Sequence, residues 1–173
     1  GMVQRFTLRQ AAPADAAAVS GVLRASYTQL LRRSYDQPTL DRALPFVVDA
    51  NPVLLSSGTY YVCVSDSGVI LGCGGWTRHR PEGGGAIGGL GHVRHFATHP
   101  EHCRMGVARA IYGQCEHDAR DQGITAFECQ SSRYAEAFYR SVGFQVLEPI
   151  HIPLGEGVCF PAIRMAKQIT TAQ

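Results

Sequence analysis

The residues best suited to chemistry crowd into one stretch, His92-Val93-Arg94-His95-Phe96-Ala97-Thr98-His99-Pro100-Glu101-His102-Cys103-Arg104-Met105-Gly106-Val107-Ala108-Arg109-Ala110. An imidazole titrates near neutrality, so His92 and His95 are candidates for a general base. Further on, Arg104-Met105-Gly106 leads into an amphipathic helical pattern beginning at Val107. A loop that ends at a helix N-terminus aims several unpaired N–H groups one way and adds the positive end of the helix dipole. That is a place for a phosphate, and small residues at Gly106 and Ala108 allow close approach. His92, His95, His99 and His102 run from strand to loop at no recognised ligand spacing, so no metal centre is expected.

The flanking elements must hold these groups. Val93 to Thr98 is rich in strand formers, and Pro100 ends the strand. Strand alternation puts His92, Arg94, Phe96 and Thr98 on one face and Val93, His95 and Ala97 on the other, leaving open which face lines a pocket. The helix from Val107 closes at Gly123, and Ala126 to Gln130 is the next strand. Strand, loop, helix and strand of this length make a βαβ unit with parallel strands. Ser131 or Ser132 caps a short helix reaching about Val142. Phe144 to Leu147 and Val158 to Met165 read as the last two strands.

Upstream, Thr7 to Arg9 is a first strand. Val19, Val22, Leu23, Tyr27 and Leu30 form one helical face. A weaker helix spans Thr39 to Leu44 and meets Pro45. Tyr60 to Val64 and Val69 to Trp76 form a hairpin whose interior glycines, Gly72, Gly74 and Gly75, point to a bulge or a close backbone approach. The glycine-rich connection Arg78 to Gly91 does not lie between a strand and a helix at dinucleotide-binding spacing.

At 173 residues, with 45% hydrophobic and 17% charged residues, the chain reads as one globular domain. A net charge of +2 without a Lys/Arg run argues against nucleic acid as partner. No apolar run is long enough to suggest a membrane partner, and a cytoplasmic location is expected. The cysteines at 63, 73, 103, 115, 129 and 159 include no CxxC pair and read as reduced. Gly1 reads as a tag remnant, residues 2–167 as the domain, and 168–173 as a frayed tail.

Two motifs in register resemble the acetyl-CoA-dependent N-acetyltransferases of the Gcn5-related (GNAT) superfamily. His99-Pro100-Glu101-His102-Cys103-Arg104-Met105-Gly106-Val107-Ala108 is similar to the family's pyrophosphate loop, Arg/Gln-x-x-Gly-x-Gly/Ala. Ser132-x-x-Ala135-x-x-Phe138-Tyr139-x-x-x-Gly143-Phe144 is similar to its Asn-x-x-Ala-x-x-Leu-Tyr-x-x-x-Gly-Phe. Cys103 stands where the family has Arg or Gln, with Arg104 beside it, and Ser132 stands where it has Asn.

The resemblance implies an α/β (α+β) single domain: a mixed, mostly antiparallel sheet of about six to seven strands with a parallel, splayed central pair and helices on both faces. It implies acetyl-CoA as co-substrate, held at Phe96, Ala97 and Thr98, at the loop Arg104, Met105, Gly106, Val107 and Ala108 with Arg109, and at Ser132, Ala135 and Tyr139. Tyr139 becomes the candidate acid for the leaving thiolate. The acceptor becomes a small-molecule amine or a peptide, and a homodimer becomes an option. A primary amine of pKa about 10.4 costs roughly 4–5 kcal/mol to neutralise at pH 7, which is the work of a base. A non-catalytic acyl-CoA-binding or sensing domain of the same fold is the alternative.

Overall fold

The computed structural model describes residues 5–169. Gly1, read as a tag remnant, and residues 170–173 of the expected tail lie outside them. The strands are β1 (Phe6–Gln10), β2 (Tyr60–Ser65), β3 (Ile70–Thr77), β4 (Leu90–Thr98), β5 (Ala126–Ser131), β6 (Gln145–Gly155) and β7 (Val158–Gln168). They form one seven-stranded sheet in the order β1-β2-β3-β4-β5-β7-β6. Every neighbouring pair is antiparallel except β4 and β5.

Helices α1 (Ala16–Leu30), α2 (Gln37–Val47) and α3 (Pro52–Leu55) precede β2; α4 (Val107–Asp121) links β4 to β5, and α5 (Glu136–Ser141) follows β5. The α1 stripe of Val19, Val22, Leu23 and Leu30 is buried, as its helical spacing requires. Val19, Val22 and Leu23 pack with Leu54, Tyr60 and Cys73 on one side of the sheet. Ile111, Cys115 and Ala119 of α4 pack with Trp76, Val93 and Phe127 on the other. Cys63, Cys73, Cys115 and Cys129 are free, buried thiols. No helix among the described residues is long and apolar enough to cross a membrane.

Several elements differ from the sequence reading, which held no helix at α3 and started α5 directly after Ser131 or Ser132. Helix α2 is longer than Thr39 to Leu44, because the Asp36 carboxylate accepts the Thr39 N–H at 2.8 Å and caps it. Pro45 lies inside its last turn, where it removes the one N–H that would bond the Asp41 carbonyl. Strand β6 runs far beyond Leu147, through Pro149 and Pro153. It is the outer strand of the sheet, where proline can turn its missing donor to solvent. The chain is also held past the expected start of fraying: Ile169 is buried and its N–H donates to the Thr125 carbonyl at 2.9 Å.

Lys167, the one lysine in the sequence, is tied down on β7. Its Nζ donates to Glu116 Oε1 at 2.6 Å and to the Val142 carbonyl at 2.7 Å.

Two irregularities interrupt the sheet at its centre. Strands β4 and β5 pair only where Leu90, Gly91 and His92 face Ala126, Phe127 and Glu128; beyond that they part. On the other side of β4, Cys73 faces Ala97 but Gly75 faces Arg94, so β4 carries one residue more than β3 over that span. This is a β-bulge.

Candidate active site

The bulge centres on His95, whose φ of +54° lies in the left-handed region. It corrects the alternation read from sequence. Val93 and Phe96 both pack toward α4 and α5, whereas Ala97 packs toward α1. His95 lies beside Tyr27 of α1, and its Nε2 meets the Val47 carbonyl at 2.9 Å. A carbonyl only accepts, so Nε2 is the donor; burial lowers the ring's pKa, and the Val47 bond opposes that shift.

Two tyrosines hold the bulge's peptide groups. Tyr60 donates its hydroxyl to the His95 carbonyl at 2.7 Å, and Tyr27 donates to the Phe96 carbonyl at 2.9 Å. Tyr60 sits on β2, so its ring must cross β3 to reach β4. Glycines clear the way: a Cβ on Gly75 would lie 2.6 Å from Tyr60 Cα, and one on Gly74 would lie 2.6 Å from the Phe96 ring. In a trans peptide the C=O and N–H point opposite ways. With the His95 carbonyl turned to the Tyr60 hydroxyl, the Phe96 N–H points away from it.

A cavity of about 720 Å³ brings together His95, Phe96, Ser132, Ala135 and Tyr139. Ser132 Oγ accepts the Ala135 N–H at 3.1 Å and starts the turn into α5. Tyr139 is buried, with its ring edge-on to Phe138 and Phe144. Its hydroxyl makes no hydrogen bond among the described residues. Burial pushes its pKa well above the ordinary tyrosine value, so it remains an O–H donor.

A smaller cavity of about 250 Å³ adjoins the first; both border Glu82, Gln130 and Arg164. His92 lines it. This imidazole is 6% exposed, and its Nε2 has no hydrogen-bond partner among the described residues. A buried polar atom in that state calls for a ligand or a water. Burial lowers the His92 pKa, and Glu128, its register partner on β5, opposes the shift. Arg164 pairs with Glu128 at 3.2 Å and Glu148 at 2.7 Å.

The loop before α4 forms a separate feature, and neither cavity is lined by Ala97, Thr98 or residues 104–109. Arg104 and Gly106 have φ of +68° and +81°. No side chain caps α4, and its first turn holds no acid. The first intrahelical bond runs from Ala110 N–H to the Gly106 carbonyl. The N–H groups of Val107, Ala108 and Arg109 therefore point out of the helix end, as an anion site requires. Val107 seats α4 on the sheet at Gly72, where a Cβ would lie 2.6 Å from Val107 Cγ1. Arg109 reaches Ser141 of α5 at 3.3 Å. Cys103 donates its thiol to the His99 carbonyl at 3.7 Å, and burial raises its pKa, so it stays neutral. His99, Glu101 and His102 share one turn with ligand atoms within 4.8 Å of one another; His92 and His95 lie outside this group.

The cavities also take in Glu128, Arg94, Arg164 and Glu82, which the sequence reading did not name as candidates. Alternation in β5 signals that Glu128 shares no face with Phe127, but only the parallel register places it opposite His92.

An acetyltransferase (GNAT) domain model matches residues 48–167. No curated protein matches the sequence. A Rhodopseudomonas palustris structure described as a GCN5-related N-acetyltransferase, aminotransferase class-II, superposes with a TM-score of 0.73 at 20% identity, covering 97% of this chain and 99% of that one. The PaiA N-acetyltransferase of Thermoplasma acidophilum, in complex with coenzyme A, gives 0.70 at 15% identity over 95% and 99%. The ribosomal-protein-S18-alanine N-acetyltransferase of Escherichia coli gives 0.63 at 14% over 98% and 97%. These likenesses show the fold.

Proposed function

The chain belongs to the acetyltransferase (GNAT) family, and on that premise we propose that it transfers the acetyl group of acetyl-CoA to a primary amine by direct attack. The observation that carries this reading is the bulge at His95. Its carbonyl is held by Tyr60, which turns the Phe96 N–H the other way, and we place that N–H in the gap between β4 and β5, beside the cavity that Tyr139 lines. Bound acetyl-CoA supplies a thioester, whose thiol, with a pKa of about 8.5, leaves readily.

The chain's residues then divide the work. Val107, Ala108 and Arg109 offer backbone N–H groups to the pyrophosphate, and the exposed Arg104 adds charge in place of the side-chain donor that Cys103 lacks. The backbone of Phe96, Ala97 and Thr98 pairs with the pantetheine arm where β5 has left β4. The Phe96 N–H donates to the thioester carbonyl, where charge builds during attack. The amine nitrogen bonds to the acetyl carbon as the carbon–sulfur bond breaks. His92 Nε2, neutral at pH 7, takes the amine's proton directly or through one water in the smaller cavity. Tyr139 donates its O–H to the departing sulfur and is reprotonated from solvent. The acceptor is a small-molecule amine or a peptide.

A free-thiol assay across an amine and peptide panel tests the reading, with the acetyl-CoA thermal shift measured alongside. Thiol release dependent on added amine is expected. Tight acetyl-CoA binding with no release across the panel would leave an acyl-CoA-binding domain instead.

A further inference from the structure

Among the described residues, Arg94 and Arg164 are the two arginines that are only partly exposed. Both line the 720 Å³ cavity. Arg164 is ion-paired to Glu128 and Glu148. Arg94 has no carboxylate within ion-pair distance among the described residues; its Nη1 donates to Thr77 Oγ1 at 3.0 Å. A guanidinium has five donors, so most of Arg94's are left for something in the cavity. Desolvation lowers its pKa, and the acid whose charge it feels is Glu82, on the exposed connection between β3 and β4. A half-buried cation kept without an acid is costly unless a bound anion completes it.

One part of the wall is apolar, while Glu82, Gln130, Ser132 and His151 line it elsewhere. Leu44, Phe46 and Val47 of α2 face Ile152 and Leu154 of β6 and Phe160 of β7 across the cavity. Arg94 immediately precedes His95, so its anion would sit close to the bulge that directs the Phe96 N–H. A single guanidinium beside a hydroxyl matches the charge and the planar fork of a carboxylate; a phosphate dianion would leave half its charge unmet.

We propose that the amine acceptor carries a carboxylate that docks on Arg94 and an apolar body that lies against α2, β6 and β7. This rests on the acetyl-transfer reading of the same cavity, and it narrows the acceptor to amino acids with hydrophobic bodies.

The test uses matched pairs: phenylalanine, ε-aminocaproate and para-(aminomethyl)benzoate, each against its own carboxamide. Binding to the coenzyme A-loaded protein is measured by calorimetry, and thiol release is measured with acetyl-CoA. For at least one pair the carboxylate should bind about tenfold or more tightly than its amide, the scale of one charge-assisted hydrogen-bonded pair. In Arg94→Gln that ratio should collapse to within about twofold of unity, and in Arg94→Lys it should survive in part. Coenzyme A affinity reports whether each variant folds. If the wild-type protein shows no carboxylate preference in any pair, or binds the amides more tightly, the proposal is wrong whatever the variants do. Thiol release without that preference overturns the Arg94 assignment alone. A carboxylate preference with no thiol release from any pair supports the anion dock and counts against acetyl transfer.

Discussion

Replacing Tyr60 by Phe separates the bulge's catalytic use from its structural one. Tyr60 is 2% exposed and gives the His95 carbonyl a 2.7 Å hydrogen bond. Without the hydroxyl, a buried carbonyl loses its partner, a cost of about 1–3 kcal/mol. At about 2–4 °C per kcal/mol for a domain of this size, the melting temperature should fall by about 2–12 °C. The freed peptide no longer holds the Phe96 N–H in the gap. A preorganised donor of this kind is worth up to about 10²–10³ in kcat, and partial misalignment should cost at least about tenfold. KM for acetyl-CoA should move by less than about twofold if, as proposed, the N–H groups at the start of α4 hold the phosphates.

Tyr112→Phe is the control. It removes another buried hydroxyl, one that donates to Glu116 at 2.6 Å within α4, so it should lower the melting temperature and spare kcat. Thermal unfolding and the free-thiol assay on the three proteins decide the matter. A Tyr60→Phe protein that melts early yet turns over within about twofold of wild type would refute the assignment of Phe96 N–H as the donor.

Tyr139→Phe should lower kcat while leaving the melting temperature nearly unchanged, since the hydroxyl has no protein partner among the described residues; a normal rate at every pH removes Tyr139 from the chemistry. Ala108→Glu places a carboxylate in the first turn of α4, where it should stabilise the free protein by about 0.3–1 kcal/mol yet weaken acetyl-CoA binding; unchanged affinity by calorimetry would place the pyrophosphate elsewhere. Burial lowers the pKa of both His92 and His95. The unfolded chain therefore takes up those protons more readily, so their share of stability is complete above about pH 6.5 and is lost as pH falls through the lowered folded values. For the same reason the acid limb of kcat at saturating amine should lie below the ordinary histidine value and vanish in His92→Gln; a limb above it would point to another base.

The β4–α4–β5 unit was legible because its signals are local: a proline stop, a glycine before the helix, and a helical stripe from Val107. The interior glycines of β3 also announced a close approach. What they could not announce was its partner. The Tyr60 ring crosses at Gly75 and the Phe96 ring packs on Gly74 only once β2, β3 and β4 are side by side. The extra residue in β4 follows from that packing, so alternation counted along the chain slips by one at His95. The length of strand β6 was hidden for a related reason: Pro149 and Pro153 fit a strand only at an edge, and the topology alone makes β6 one. The pairing of His92 with Glu128 depends on a register set between strands separated by a whole helix.

Lys167 bears on how such a protein treats itself. A chain that binds a reactive thioester is exposed to its own side-chain amines, and here the sequence supplies one. As an ammonium it has donors but no lone pair. It is ion-paired to Glu116 at 2.6 Å and capped by the Val142 carbonyl. It also lies over the Tyr112 ring. On the proposed acetyl-transfer reading, the pairing of this one lysine withholds it from acetyl-CoA, and Lys167 should stay unmodified by mass spectrometry after prolonged incubation with acetyl-CoA.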